Sequence, residues 1–400
     1  MTPQQNNSSL RRLWLVAAWS FVIAAGAGVL FRWGMVQGFP WDLSAANIRH
    51  AHSHLMLMGW ATPALMALMA MRWPGEGARS MDRAVVWVGW LSWLMAAASF
   101  VPFLLYGYAS VPVGGAELPL AAILSGLAII AWYAFAVIYF LAHRGVERTP
   151  AMRLWDLGVA SLVVSSIGAW AIAGLMIAGV DDALLEAATV HFFVDLFGAG
   201  WLALGTLGLI RSFVPLEDST NERVGRVLIG VGVAFVFLVG LPRAHVPQIW
   251  PLFGSAAAGL VAAGMALIIQ RMWSRLGVWN WRALLFAALV AAMLAAVAIP
   301  PVADWGLRAG LRLFYLHVAF AGFVTMGLVA VAHNLWGKRA TGSPTVWLAA
   351  VLVLLVTMMP MTGLWPDELG GEWVMQAVFA GAVVATVATL FACTRATLYR

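Results

Sequence analysis

Eight histidines occur in the 400 residues: His50, His52, His54, His143, His191, His245, His317 and His333. Three crowd into Arg49-His50-Ala51-His52-Ser53-His54, and His191 is followed four residues later by Asp195. Neutral imidazole is the commonest protein ligand for a metal ion and a frequent axial ligand of haem iron. The spacing of four puts His191 and Asp195 on one helix face, one turn apart. With His245 they make two imidazoles and a carboxylate, the ligand set associated with non-haem iron. The plainer alternative is that Asp195 only accepts a hydrogen bond from His191 or from a neighbouring helix. Haem makes a different demand, one or two axial histidines within an apolar wall. His52 or His54 together with His317 meet it, and Met56, Met58, Phe314, Phe320 and Phe323 would suit the wall, although such side chains serve equally well in helix packing.

The elements that carry these residues are membrane helices. The chain is 63% hydrophobic and 10% charged, with a mean hydropathy of +0.89, against roughly 45–50% apolar and about 25% charged in a soluble domain. A helix crossing about 30 Å of hydrocarbon needs about 20 apolar residues. Twelve such stretches are expected near 13–33, 50–72, 84–108, 117–142, 154–179, 184–212, 224–250, 252–271, 281–301, 310–335, 344–364 and 373–395, joined by short charged or Pro/Gly-rich segments. No long polar stretch separates them, so the sequence predicts an all-α polytopic membrane protein with one membrane domain over residues 1–400. The first stretch follows Arg11 and Arg12 and carries no cleavage site of small residues, which reads as a retained span.

Lys and Arg stay on the cytoplasmic side of membrane proteins. With both termini cytoplasmic, the inner joints hold all of the 23 Lys and Arg except Arg32, Arg49, Arg243, Arg308 and Arg312, and the outer side collects Asp181, Asp182, Asp304, Asp367, Glu368 and Glu372. This distribution accounts for the pI near 10.1 without a nucleic-acid partner. Cys393 is the single cysteine, so neither a disulfide nor covalent haem attachment through Cys-x-x-Cys-His is available.

On this topology His143 and His333 close spans four and ten at the inner interface, where a snorkelling side chain is the simple reading. The other six enter from the outer side on spans two, six, seven and ten, at one level in the outer third of the bilayer. Ionisable groups inside a membrane are costly and by default mark function, and facing helices of a bundle are where cofactor sites are built.

Twelve spans with histidines on the second, sixth, seventh and tenth resemble the catalytic subunit I of the haem-copper oxidase superfamily, particularly its nitric-oxide-reductase and cbb-type branches. Arg49-His50-Ala51-His52 looks like the family's Arg-x-x-His, and His52-Ser53-His54-Leu55-Met56-Leu57-Met58-Gly59-Trp60 is similar to its HxHLxLxGW. His317-Val318-Ala319-Phe320-Ala321-Gly322 looks like the segment bearing the opposite low-spin haem ligand. The resemblance implies His52 and His317 as axial pair, with His54 a rival because His54-x-x-x-x-Gly59 repeats the spacing of His317-x-x-x-x-Gly322. Val190-His191-x-x-Val194-Asp195 resembles the reductase segment whose histidine and glutamate bind non-haem iron. Pro242-Arg243-Ala244-His245 sits where the family has a histidine pair, with Ala244 at the other position. Tyr315 stands where the family holds its high-spin haem. A looser resemblance is to NnrS-type haem membrane proteins, through His50-Ala51-His52.

The resemblance implies haem b, with a second haem and a non-haem iron or copper at His191, Asp195 and His245 as further expectations. The implied activity is reduction of nitric oxide or oxygen, with Tyr315 at the reaction site. An outer-side donor such as a cytochrome c or a copper protein would supply electrons, and a small partner subunit is allowed for. The expected location is the bacterial inner membrane, with lipid as the surrounding partner. Lys338 is the only lysine and membrane carboxylates are sparse, which argues against proton pumping. The alternatives are a non-catalytic haem or gas-binding protein of the nitric oxide response and, less favoured, a secondary transporter, for which no half-repeat of broken helices is evident.

Overall fold

A computed structural model describes residues 3–74 and 81–399. Arg79 and Arg400, counted above among the inner positive charges, lie outside the described residues. The chain is an all-α polytopic membrane protein. Twelve helices are long and apolar enough to cross a membrane: Asn7–Gln37, Ala45–Arg72, Arg83–Tyr106, Leu120–Ala142, Pro150–Ala178, Ala183–Arg211, Thr220–Gly240, Ile249–Arg275, Val278–Val297, Leu311–Trp336, Lys338–Met361 and Trp373–Leu398. We refer to them as spans one to twelve. Side chains such as Trp87, Val137, Ile177 and Val356 are exposed on them, as a lipid-facing surface requires.

The largest departure from the expected boundaries is span seven. It ends at Gly240 in a short 3₁₀ turn instead of running to 250, because Pro242 and Pro247 cannot donate to a continuing helix. Residues 117 and 118, expected to open span four, lie instead in a hairpin of β1 (Val111–Val113) and β2 (Ala116–Leu118). Gly114 and Gly115 supply its two positive-φ turn positions, at 57° and 87°. A short helix, Pro300–Arg308, precedes span ten.

The chain packs as two compact units, Met1–Val146 with Val331–Arg400, and Glu147–Ala330. In the first, Trp14 and Trp347 stand 5.2 and 6.0 Å from the ring of Trp60. Their buried indole N–H groups donate to Ala340 O (2.9 Å) and Thr341 O (3.1 Å). In the second, Trp155 Nε1 donates to Gly205 O across 3.2 Å and ties span five to span six. Tryptophan buries a large apolar body while its single donor finds a backbone partner.

Three spans change from α to π geometry part-way along, at Leu55–Ala61, Leu196–Leu204 and Val318–Val324. The residue immediately before each is His54, Asp195 or His317. Each π segment carries Gly-Trp or Gly-Phe at the same offset: Gly59-Trp60, Gly200-Trp201 and Gly322-Phe323. A π turn re-aims the side chains on either side of it and frees backbone carbonyls, and such turns concentrate at functional sites. In the last of them Phe320 O accepts both the backbone N–H and the hydroxyl of Thr325, the latter at 2.8 Å.

Candidate functional site

In the first unit, the three clustered histidines of span two divide between two faces. His52 turns toward span one: its Nδ1 is 2.7 Å from Ala24 O. A carbonyl oxygen only accepts, so Nδ1 carries the proton and Nε2 keeps its lone pair, the state in which imidazole ligates a metal. The ring rests against Gly28, where a Cβ would lie 3.2 Å from His52 Cε1 and 3.3 Å from Nδ1. Glycine is what lets the imidazole lie this close to the helix.

His50 and His54 face span three and the loop beyond it. His54 Nε2 is hydrogen-bonded to the Tyr108 hydroxyl at 3.2 Å, and its ring lies 4.0 Å from that of Phe103. The His50 ring meets Tyr108 edge-on at 4.9 Å. Burial pushes the Tyr108 phenol up to about 12, so it remains protonated at neutral pH. The rivalry between His52 and His54 is therefore weighted by contacts invisible in the sequence: Nε2 of His54 is occupied by Tyr108, whereas His52 is held through Nδ1.

In the second unit, His317 Nδ1 lies 2.8 Å from Leu313 O one turn back on span ten, which again leaves Nε2 as the unprotonated nitrogen. On span six, His191 Nδ1 lies 3.4 Å from Asp195 Oδ2, outside hydrogen-bonding geometry, and is buried without a hydrogen-bond partner. A Cβ on Gly240 would collide with the His191 ring, so the end of span seven meets His191 through backbone. Asp195 Oδ1 is engaged by Arg312 of span ten at 3.1 Å. Tyr315, one turn along from Arg312, is within electrostatic reach of the same carboxylate.

The structure does not bring His245 to this pair. It lies in the exposed turn after span seven, beside Arg243, which bridges to Asp304 at 2.8 Å. Among the described residues no three His, Cys, Asp or Glu side chains are grouped as a metal set. The expected third ligand fails because span seven stops at Gly240, five residues before His245. Asp195 has instead the partner that a carboxylate within a membrane domain needs, a guanidinium. Sequence reasoning placed Arg312 among the outer charges and missed it; its signal was an arginine five residues before His317 inside an apolar run.

Two further histidines are placed differently from each other. His143, expected at the interface, is fully buried, with Nδ1 on Tyr139 O at 2.7 Å and its ring 5.0 Å from Trp73. The tryptophan after span two covers the end of span four. His333 is half-buried and its Nδ1 meets the Thr341 hydroxyl at 3.1 Å, a polar contact of the interfacial kind.

Where span six leads into span seven, Arg211 and Glu222 form a buried pair at 2.6 Å, and Arg211 also donates to Val214 O and Leu216 O. Asp218 accepts from Arg226 at 2.8 Å and faces Arg153 and Arg223. Partial burial alone would raise its pKa, but the Arg226 hydrogen bonds and the surrounding guanidinium charges hold it below the ordinary aspartate value. These contacts clamp the joint between spans six and seven. No family model matches the chain, and no curated protein matches it.

Proposed function

We propose that this chain is a haem-b-binding redox protein of a bacterial inner membrane, with His52 in the first unit and His317 in the second as iron ligands. The observation that carries this reading is the state of these two imidazoles where spans two and ten lead into their π segments, a state that His143 shares only at the end of span four with no such segment beside it. Each donates Nδ1–H to a backbone carbonyl and keeps Nε2 as the ligating nitrogen. The Gly28 surface beneath His52 adds a fitted backing for its ring. Bound haem would supply one-electron chemistry and an iron centre for diatomic gases. The chain's residues orient the ligands and, through Arg312, compensate the charge of Asp195.

Reduction of nitric oxide or oxygen with electrons from a cytochrome c or copper protein at the outer side remains the activity that the resemblance to the haem-copper oxidases implies. One observation favours the non-catalytic alternative, a haem protein that binds gas in the nitric oxide response: Asp195 is paired with Arg312, and His245 is not beside it. Those residues do not fit a second metal centre, so no step is assigned to one. A reduced-minus-oxidised optical spectrum of purified protein tests the haem. Absence of a Soret band would refute it, and sustained nitric oxide consumption under a reductant would favour the enzyme.

A further inference from the structure

The haem reading uses His52 and leaves His50 and His54 without a role. Residues 45–54 are regular α-helix, so these two histidines stand one turn apart on one face of span two. Both rings reach the same aromatic pair. His50 lies 4.9 Å from Tyr108 and 6.5 Å from Phe103, and His54 lies 6.3 and 4.0 Å from them. Tyr108 is brought there by the turn that follows span three. Gly107 takes a φ of 60°, which glycine adopts at little cost, and a Cβ on it would collide with the side chain of Asn47, three residues before His50. Asn47 Nδ2 also donates to Leu105 O at 3.4 Å, which ties the turn to the same helix face.

His54 carries the unmet demand. Its Nδ1 is buried with no hydrogen-bond partner, while its Nε2 lies 3.2 Å from the Tyr108 hydroxyl. If the phenol donated to Nε2, a buried N–H would be stranded at Nδ1, at the cost of an unmade hydrogen bond. If Nε2–H donates to the phenol, Nδ1 holds a bare lone pair. The second arrangement is that of a metal-bound histidine, whose other nitrogen donates to an orienting acceptor. The geometry points to a metal site on this face of span two, in which His54 Nδ1 and the His50 imidazole hold a divalent ion of the zinc–copper class and Tyr108 orients His54. Neutral imidazole suits these ions, whereas magnesium and calcium seek oxygen. Two protein ligands leave the remaining coordination positions to water or a small ligand. The site uses neither His52 nor His317 and does not rest on the haem reading.

The test uses full-length protein purified without a polyhistidine tag and stripped with a chelator. Titration with zinc chloride by calorimetry should show one saturable equivalent. His50→Ala and His54→Ala should each weaken binding about tenfold or more, and Tyr108→Phe, which removes only the orienting partner, should weaken it by about 10–100-fold. His245→Ala should leave it unchanged. Copper(II) bound in place of zinc should show two imidazole nitrogens by electron paramagnetic resonance in the native protein and one fewer in each histidine variant. Monodisperse elution and native circular dichroism are the folding controls, and His50→Gln and His54→Gln serve where alanine prevents folding. No saturable equivalent in the native protein, or unchanged binding in the His50 or His54 variants, would mean an adventitious ion only and overturns the proposal. Loss of the low-spin haem spectrum in His54→Ala would place His54 on haem iron and equally overturns it. A preparation without a Soret band refutes the haem reading alone, and the titration still decides the metal site.

Discussion

Gly28 offers a sharp test of the His52 site, because two effects of known size oppose each other there. An alanine Cβ would stand 3.2–3.3 Å from two atoms of the His52 ring, inside the comfortable carbon contact of about 3.5–4.0 Å. The imidazole must therefore retreat by a few tenths of an ångström. The 2.7 Å contact to Ala24 O stretches as it does so, and such a bond in a membrane protein contributes about 0.6 kcal/mol on average. Against this, Gly→Ala inside a helix stabilises by about 0.8–1.0 kcal/mol. The two nearly cancel, so Gly28→Ala should leave the unfolding midpoint of ligand-free protein close to native. Gly28→Leu adds a side chain too large for a retreat of that size and should force the ring off Ala24. The expected outcome is graded loss of the low-spin haem spectrum, partial in Gly28→Ala and nearly complete in Gly28→Leu, with little change in helicity. Spectra normalised to protein, with circular dichroism as the folding control, decide it. A Gly28→Leu protein that keeps its full low-spin spectrum would refute the claim that His52 ligates iron from this surface.

Other perturbations probe the remaining contacts. His317→Ala should abolish the low-spin spectrum, whereas His333→Ala and His54→Ala should leave it, and equal losses in all three would mean that the wrong histidines are assigned to the iron. Asp195→Asn strands Arg312 without its partner and should destabilise the protein by about 2–4 kcal/mol, slightly below the usual cost of breaking a buried pair because Arg312 is partly exposed. In the Asp195→Asn, Arg312→Gln double variant much of that loss should return, and strictly additive unfolding energies would show that the pair is not coupled. Asp218 has a folded-state pKa below its unfolded value near 3.9. Its contribution is therefore complete above about pH 5 and is lost as pH falls through the folded pKa. An acid-unfolding profile in which Asp218→Asn is less stable than native at pH 7 and converges on it only as pH falls through the folded pKa would bear this out, and parallel profiles would count against it.

The membrane character and the twelve spans were legible in residue order alone. Hydrophobic length and the alternation of Arg-rich joints follow from the thickness and solvation of a bilayer, which act on each segment separately. The end of span seven was also written there, in Pro242 and Pro247, but an apolar run to residue 250 masked it. Which face each histidine takes was decided only in three dimensions. His52 and His54 are two residues apart, and their separate attachments to Ala24 and Tyr108 depend on which neighbouring helix packs on each side of span two. The partner of Asp195 was likewise undetermined by spacing, since His191 at i−4 and Arg312 on another span compete for one carboxylate. Tertiary packing resolved that competition in favour of the guanidinium, because a carboxylate withdrawn from water is stabilised more by a full opposite charge at 3.1 Å than by a ring outside hydrogen-bonding geometry.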